Sequence, residues 1–182
     1  RVIACVDDPG RVFSEDPLRL LRAIRFASRL GFEIEAKTYE AIVRDRDQLE
    51  HISKERIAME FEAMLLEADA QKVIAALRLL TKTGILAIIL PEVDALRGLK
   101  QNKYHHLDAF EHTLLVLEKS EPSQIARWAA LLHDIGKPQA KSYKTDGSVT
   151  FIGHDKLGST MAYELLKHFS LPKRARELIS ML

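Results

Sequence analysis

The sequence predicts an all-α protein made of several helices in each of two successive helical domains, with one short β-hairpin near residues 143–151. Three observations carry this prediction. Apolar residues recur at helical spacing in one segment after another, Gly and Pro stand where helices begin or end, and strand-like alternation is almost absent. With 47% hydrophobic and 29% charged residues, the 182-residue chain has the composition of a globular protein with a real core.

The first domain is predicted to span residues 1–100. A short strand at residues 2–6 and a loop at residues 7–10 precede a helix over residues 14–30, for which Ser14 is the expected N-cap and Gly31 the expected stop. Three further helices are predicted over residues 38–49, 53–68 and 71–83. Gly84 is the expected stop of the third. The apolar run before Pro91, residues 85–90, predicts a buried helical turn.

The second domain is predicted to span residues 101–182, after a polar stretch at residues 99–104 that marks the boundary. The pair Asp146-Gly147 between β-forming residues predicts the hairpin. Helical periodicity predicts the remaining elements: residues 108–119, 124–134, 155–169 and 172–182. The chain starts in mid-domain sequence and ends without a helix stop, so we expect it to be part of a longer protein.

Charge and cysteine content exclude several classes of protein. A net charge of +1 is not that of a general nucleic-acid binder, so any RNA contact has to come from a local patch. The single cysteine, Cys5, allows no disulfide framework and favours a reducing compartment, so a cytoplasmic location is expected. No apolar run is long enough to cross a membrane and no signal peptide is recognised, so no membrane partner is expected.

The helix over residues 14–30 combines an acid–base pair with a stripe of arginines. Asp16 and Arg19 are three residues apart, so their side chains are expected to be neighbours. Only Glu15 and Asp16 supply local counter-charge for the four arginines that follow one another down the helix: Arg19, Arg22, Arg25 and Arg29. An arginine fork suits base edges and phosphates, and an Asp carboxylate accepts from an exocyclic amine. From the residues alone, a nucleotide-binding helix and a solvated basic face both stay open.

The run EDPLR at residues 15–19 matches the EDxxR motif of the class II tRNA nucleotidyltransferase and poly(A) polymerase family. The residues after it also resemble that family nearly one for one: Leu-Leu-Arg-Ala-Ile-Arg-Phe-Ala-Ser-Arg-Leu-Gly-Phe-Glu-Ile. This resemblance implies that Asp16 and Arg19 form a template for the base of an incoming ATP or CTP, with Glu15 supporting them. It further implies that Arg22 positions the template or the triphosphate, and that two more arginines contact RNA phosphates: Arg25 and Arg29.

In the family that the chain resembles, an N-terminal head performs the transfer with a Gly-rich phosphate loop and paired aspartates that bind magnesium. Neither pattern is found here, since no Asp-x-Asp lies on a predicted strand. The resemblance therefore implies the C-terminal portion of an enzyme that adds nucleotides to the 3′ end of tRNA or another RNA, by CCA addition or polyadenylation. No catalytic residue for this transfer is assigned to the chain, and we expect the chain alone not to add nucleotides.

Histidines and aspartates are concentrated in the last part of the chain. His112 is expected on the inner face of one helix, and His133 with Asp134 at the end of the next, so two antiparallel helices could bring them together. Neutral imidazoles and a carboxylate suit a divalent ion that activates water. Ordinary core or surface histidines are the alternative for this cluster, whose other members are His105, His106, Asp108, His154 and Asp155.

Residues 104–158 resemble the HD superfamily of metal-dependent phosphohydrolases through three runs: Tyr-His-His-Leu-Asp-Ala-Phe-Glu-His, Leu-Leu-His-Asp-Ile-Gly-Lys and Gly-His-Asp-x-x-Gly. The resemblance implies a fold with an HD-type helical domain and a metal site for magnesium or a transition metal. The implied ligands are His112, His133 and Asp134. His154 is implied as a further ligand or a phosphate contact, and Lys137 as a phosphate contact.

The HD pattern departs from its family at one point. HD sites usually take another Asp from a later helix, and none is evident before Leu182, with Asp155 an uncertain substitute.

A branch of bacterial tRNA nucleotidyltransferases carries an HD domain after helical neck and body segments, and the order of motifs here resembles that architecture without its head. The alternative function is therefore an HD metal-dependent phosphohydrolase acting on nucleotide or 2′,3′-cyclic phosphates.

Overall fold

The computed structural model describes residues 1–101 and 107–181, which divide into two compact units, Arg1–Leu90 and Pro91–Leu182. The sequence places the boundary ten residues later, at the polar stretch. Residues 91–101 lie in the second unit because their backbone pairs with the start of the helix that follows them. Ala109 donates to the Leu99 carbonyl at 3.1 Å, and Phe110 donates to the Leu96 carbonyl at 3.2 Å.

The first unit is helical apart from a two-residue parallel pairing of β1 (Val2–Ile3) with β2 (Glu33–Ile34). Its helices are α1 (Pro9–Glu15), α2 (Leu18–Leu30), α3 (Ala36–Asp45), a 3-10 helix (Arg46–His51), α4 (Lys54–Leu65), α5 (Ala70–Lys82) and α6 (Ile85–Ile89). Helix α2 is central, since it packs against both α4 and α5. Leu20, Leu21 and Ile24 of α2 are completely buried.

The start of the arginine-bearing helix differs from the prediction. Ser14 is not an N-cap but lies near the end of α1, and the helix that carries the arginines begins only at Leu18. Of the loop predicted at residues 7–10, Pro9 and Gly10 instead begin α1, and Asp8 caps this helix by accepting from Arg11 N at 3.0 Å. The residue before a proline is disfavoured in the α region. Asp16, which precedes Pro17, is accordingly extended (φ −151°, ψ 96°) and breaks the two helices apart.

The other predicted helices of the first unit are present with shifted ends. Gly31 ends α2 with φ 65°, a left-handed conformation that glycine adopts without steric cost. Gly84 likewise stands at φ 76° between α5 and α6. The helix predicted over residues 38–49 is divided, because α3 ends at Asp45 and the chain continues as the 3-10 helix.

The second unit consists of α7 (Pro91–Asp94), α8 (Ala109–Lys119), α9 (Gln124–Leu132), α10 (Lys137–Ala140), α11 (His154–His168) and α12 (Lys173–Ser180). The predicted hairpin is present as β3 (Ser142–Tyr143) paired antiparallel with β4 (Val149–Thr150). Trp128 of α9 is completely buried against Phe169, with ring centroids 4.7 Å apart. The all-α prediction is confirmed.

Within residues 1–101 and 107–181, no helix has the length and apolar character needed to span a membrane.

Candidate functional site

The EDxxR residues lie at the break between α1 and α2, where the extended Asp16 turns the chain. Asp16 Oδ1 accepts from Leu18 N at 3.3 Å and so caps the start of α2. Arg19 does not pair with Asp16, although the spacing predicted neighbours. Its Nη1 donates to Glu15 Oε2 and to the Val12 carbonyl, both at 3.0 Å. Glu15 thus holds the guanidinium of Arg19 in place.

Arg56 is a member of this site that the sequence did not reveal. Its Nη2 donates to Asp16 Oδ1 at 3.1 Å, and the two residues are 40 positions apart in the chain. Arg22 approaches the other carboxylate oxygen, with Nη1 3.9 Å from Asp16 Oδ2. Only a weak signal in the sequence points to Arg56. It stands three residues after the N-cap Ser53, where a capping box would have an acid, so a base at this position is unusual.

The counter-charge for the arginine stripe comes largely from α4, in addition to the local acids Glu15 and Asp16. Glu60 accepts from Arg22 Nε at 2.9 Å and from Arg25 Nε at 2.8 Å, and is 9% exposed. The hydrogen bond to Glu60 raises the pKa of the Arg22 guanidinium above its ordinary value. Arg29 lies 3.4 Å from a second acid of the first unit, Glu67. The stripe is therefore largely neutralised within the unit.

The EDxxR site offers both donors and acceptors to a ligand. The side chains of Glu15 and Arg19 are 54% and 41% exposed, and that of Asp16 is 22% exposed. The charges are held in place by protein partners but remain within reach of solvent. An acceptor carboxylate beside a fixed guanidinium fork matches the edge of a base that carries an exocyclic amine next to a ring nitrogen.

The second cluster lies in the second unit, where His112 of α8 meets the end of α9. One ligand atom from each of His112, His133 and Asp134 lies within 4.8 Å of the others. The two imidazole rings are edge to face, with centroids 5.3 Å apart. His154, at the start of α11, brings Nε2 to 3.9 Å from Asp134 Oδ1. The structure thus groups the three implied ligands and places His154, implied as a further ligand or a phosphate contact, beside Asp134.

Both imidazoles beside Asp134 have one ring nitrogen fixed by a backbone carbonyl. His133 Nδ1 lies 2.9 Å from the Ala130 carbonyl, and His154 Nδ1 lies 2.7 Å from the Phe151 carbonyl. These contacts place the proton of the neutral ring on Nδ1 and leave the lone pair on Nε2. His133 Nε2 is buried without a hydrogen bond among the described residues; it lies 3.2 Å from Asp134 Oδ2, but outside hydrogen-bond geometry. An orphaned acceptor with a carbonyl-fixed ring is the arrangement of a metal-ligating histidine, so these residues fit a divalent ion.

Asp134 stays ionised in this environment. Burial by itself raises the pKa of its carboxyl group, but a protonated His133 ring and the ammonium of Lys137 outweigh burial and lower the pKa to about 2. Lys137 Nζ donates to Asp134 Oδ2 at 2.7 Å and to Gln101 Oε1 at 2.8 Å. Gln101 was not identified from the sequence, where it carries no signal beyond its position in the polar stretch.

Two glycines explain how His154 reaches the cluster. A Cβ on Gly136 would lie 2.2 Å from the His154 carbonyl oxygen and 2.6 Å from Gly158 N. The turn after Asp134 therefore contacts the first turn of α11 through backbone alone. The sequence motifs contain both glycines, but their mutual contact is visible only in the fold.

An open cavity of ≈ 1030 Å³ is lined by Gln101, Lys137, His154 and the hairpin region.

The remaining residues of the predicted cluster have different positions. His105 and His106 lie outside the described residues. Asp108 is the N-cap of α8, where its carboxylate accepts from Glu111 N at 2.8 Å and from Gly98 N at 2.9 Å. Asp155 is exposed and lines the cavity, and it is not among the residues grouped as metal ligands.

Comparison with known families divides the chain into two matched regions. Residues 31–97 match the model described as the probable RNA and SrmB-binding site of polymerase A. Residues 102–181 match the HD domain model.

Curated relatives match the chain along most of its length. The A-adding tRNA nucleotidyltransferase of Deinococcus radiodurans is 36% identical over 179 residues, which cover 90% of this chain and 41% of the relative. The multifunctional CCA protein of Pseudomonas fluorescens is 37% identical over 177 residues, covering 91% of this chain and 42% of the relative. The CC-adding tRNA nucleotidyltransferase of Thermus thermophilus is 36% identical over 178 residues, covering 91% and 40%. The chain therefore spans about 40% of the length of these relatives.

Solved structures give the same grouping. The crystal structure of the Bacillus stearothermophilus CCA-adding enzyme in complex with CTP is similar over 97% of this chain and 36% of that one, with 29% identity and a TM-score of 0.61. A structure described as a tRNA-processing enzyme shares the fold at a TM-score of 0.60 and 22% identity, covering 98% of this chain and 44% of that one. The chain is therefore homologous over about 90% of its length to a part of the tRNA nucleotidyltransferases, and it joins a region that matches the probable RNA-binding site of polymerase A to an HD domain.

Proposed function

We propose that this chain supplies nucleotide recognition and RNA support to an enzyme that adds nucleotides to the 3′ end of tRNA. The observation that carries the proposal is the EDxxR site, in which Asp16 and Arg19 are each fixed by separate partners and still partly exposed. A carboxylate and a guanidinium held in this way can read the edge of ATP or CTP without moving. Arg22, Arg25 and Arg29 flank the site and are proposed to position the triphosphate and the RNA backbone. The tRNA substrate implies a cytoplasmic location.

The proposal is tested in a chimera in which this chain replaces the matching 41% of the A-adding enzyme of D. radiodurans. The isolated chain is expected to add neither CMP nor AMP to tRNA, whereas the chimera should add nucleotides in the presence of Mg²⁺. Arg19→Lys keeps the charge but removes the planar fork, and Asp16→Asn keeps an oxygen to cap Leu18 N. Each variant should lower kcat/KM for the preferred nucleotide by about 10- to 100-fold, the value of a lost charge-assisted hydrogen bond.

Arg11→Lys is the matched control, because Arg11 lies on α1 and pairs with Asp7 outside the EDxxR site. This control should leave kcat/KM within about 2-fold. Binding of tRNA should be preserved in all three variants. An unchanged ratio of ATP to CTP incorporation in Asp16→Asn and Arg19→Lys would show that these residues do not form the base template.

A second function, metal-dependent phosphohydrolysis, is favoured by one specific observation: the orphaned His133 Nε2 beside the ionised Asp134. His112, His133 and Asp134 would hold a divalent ion, with His154 on the far side of the carboxylate. Such an ion acts as a Lewis acid toward a phosphoryl group. The Ala130 and Phe151 carbonyls keep the imidazoles in the ligand tautomer.

The charge of Lys137 is directed into the same centre, where it can stabilise the phosphoryl group of a nucleotide or a 2′,3′-cyclic phosphate. Its side chain is only 12% exposed, so its interaction with a bound phosphate is screened less by water than that of a surface lysine. The test is titration of the chain with Co²⁺, Mn²⁺ and Mg²⁺, followed by assay of 2′,3′-cyclic AMP hydrolysis.

His133→Ala should weaken binding of the preferred metal by at least about 100-fold, since even outer contacts of a ligand cost 10- to 100-fold. His168→Ala is the control, because His168 is an exposed histidine at the end of α11 in the same unit. Equal metal affinity in the two variants would exclude the proposed centre. Metal binding without hydrolysis would reduce the centre to a structural role.

A further inference from the structure

Gln101 closes one side of the HD centre through a chain of polar contacts. Its Oε1 accepts from Lys137 Nζ at 2.8 Å, and the same ammonium donates to Asp134 Oδ2 at 2.7 Å. That carboxylate oxygen is also the atom 3.2 Å from His133 Nε2. Gln101 is therefore connected to the candidate ligand Asp134 by two successive hydrogen bonds, although it lies about 30 residues before that aspartate.

Two buried atoms of this cluster lack hydrogen-bond partners among the described residues, and they have opposite polarity. His133 Nε2 carries a lone pair and can only accept, whereas Gln101 Nε2 carries two protons and can only donate. Buried polar groups are rarely left unsatisfied, because the loss of hydration is not compensated. A cation satisfies the first atom but cannot satisfy the second, which requires an electron-rich oxygen.

The orientation of the Gln101 amide follows from Lys137. An ammonium group has three donors and no acceptor, so the amide must present its oxygen to Lys137 and point its NH₂ group elsewhere. Gln101 and Lys137 both line the ≈ 1030 Å³ cavity together with His154. The cavity therefore borders both partners of the Lys137–Gln101 hydrogen bond.

We propose that Gln101 binds substrate at the HD centre, with its Nε2 donating to a phosphoryl oxygen of a phosphate ester while its Oε1 holds Lys137 against that phosphate. The proposal rests on the phosphohydrolase function proposed above. A phosphoryl oxygen supplies the acceptor that Gln101 lacks, and the remaining negative charge of the group faces Lys137. The organic part of the ester lies in the cavity lined by the hairpin region.

Gln101→Glu tests the proposal, since the carboxylate keeps an acceptor for Lys137 but removes the donor. The measurement is calorimetric titration of inorganic phosphate into the metal-loaded chain. We expect Gln101→Glu to weaken phosphate binding by about 10-fold or more, the effect of a lost hydrogen bond to a charged group. Gln139→Glu is the matched control: Gln139 is exposed on α10, two residues from Lys137, and its substitution adds the same charge near the cavity.

Two outcomes would overturn the proposal: phosphate affinity in Gln101→Glu within 2-fold of the wild type, or an equal loss in Gln139→Glu. A second measurement needs no variant. In the ¹⁵N-labelled wild-type chain, the side-chain amide resonances of Gln101 should shift on addition of phosphate, whereas those of Gln139 should not. A separate titration uses the metal alone. If the wild-type chain binds no metal, the proposed phosphohydrolase function is rejected. If it binds metal but the Gln101 amide resonances do not shift with phosphate, only the present proposal is rejected.

Discussion

Gly136→Ala is expected to destabilise the second unit, although the backbone at this position accepts alanine. Gly136 has φ −77° and ψ −16°, within the region that alanine prefers. At such positions the replacement of glycine usually stabilises a protein by about 0.4–1 kcal/mol, because the unfolded chain loses conformational freedom. The sign of the effect is therefore decided by the space available for a Cβ.

That space is absent. The Cβ would lie 2.2 Å from the His154 carbonyl oxygen and 2.6 Å from Gly158 N, and both atoms belong to backbone that cannot rotate away. Reaching the shortest distance that real structures show, 3.0 Å, requires α11 to move by at least about 0.8 Å (3.0 minus 2.2). Overpacking of this kind costs about 1–3 kcal/mol, so we expect a net loss of about 1–2 kcal/mol after the entropic gain.

The assay uses the single tryptophan of the chain. Trp128 is completely buried in the second unit, so its fluorescence during urea unfolding reports on that unit. Gly158→Ala is the matched control: its Cβ would lie 3.3 Å from Gly136 N and 4.0 Å from the His133 carbonyl, a contact that a few tenths of an ångström relieve. The control should be neutral or stabilising by up to about 1 kcal/mol, because Gly158 is helical and alanine reduces the entropy of the unfolded chain. The reasoning is refuted if Gly136→Ala is as stable as the wild type, or if the two variants lose the same amount.

Three other predictions concern the metal site, the ionisation of Asp134 and the contacts of Glu60. The same shift of α11 should displace His154, so Gly136→Ala should also bind metal at least about 10-fold more weakly in a Co²⁺ titration, whereas Gly158→Ala should bind it normally. Because the pKa of Asp134 is lowered from 3.8 to about 2, its charge stabilises the metal-free fold above pH 4, and this contribution is lost as pH falls toward 2. The stability gap to Asp134→Asn, at most about 2 kcal/mol, should therefore close over that window in urea titrations with chelator present, and a pH-independent gap would contradict it. Glu60→Gln leaves Arg22 and Arg25 without their shared carboxylate, so amides of α2 should exchange faster by about 10-fold, and unchanged exchange would show that the bridge contributes nothing.

Local signals in the sequence were sufficient for most of the fold. Gly31 and Gly84 end helices because each stands in the left-handed conformation that other residues avoid, and Asp146-Gly147 forms the predicted hairpin turn. The sequence failed at residues 7–16. Asp8-Pro9 was interpreted as a loop, although an acidic cap followed by proline is also a helix start, and the cap expected at Ser14 was prevented by the proline that follows Asp16.

The sequence by itself determined which residues are candidates for the chemistry, because the EDxxR motif and each of the three HD runs are short stretches of consecutive positions. Only the tertiary structure decided what those residues contact. Asp16 is held by Arg56, the arginine stripe is neutralised by Glu60, and Lys137 is shared with Gln101, all from 35 to 40 positions away. Helical periodicity predicts which face of a helix is buried, but not which distant side chain meets that face. That choice depends on how α2 packs against α4, and on the contact of Gly136 with α11.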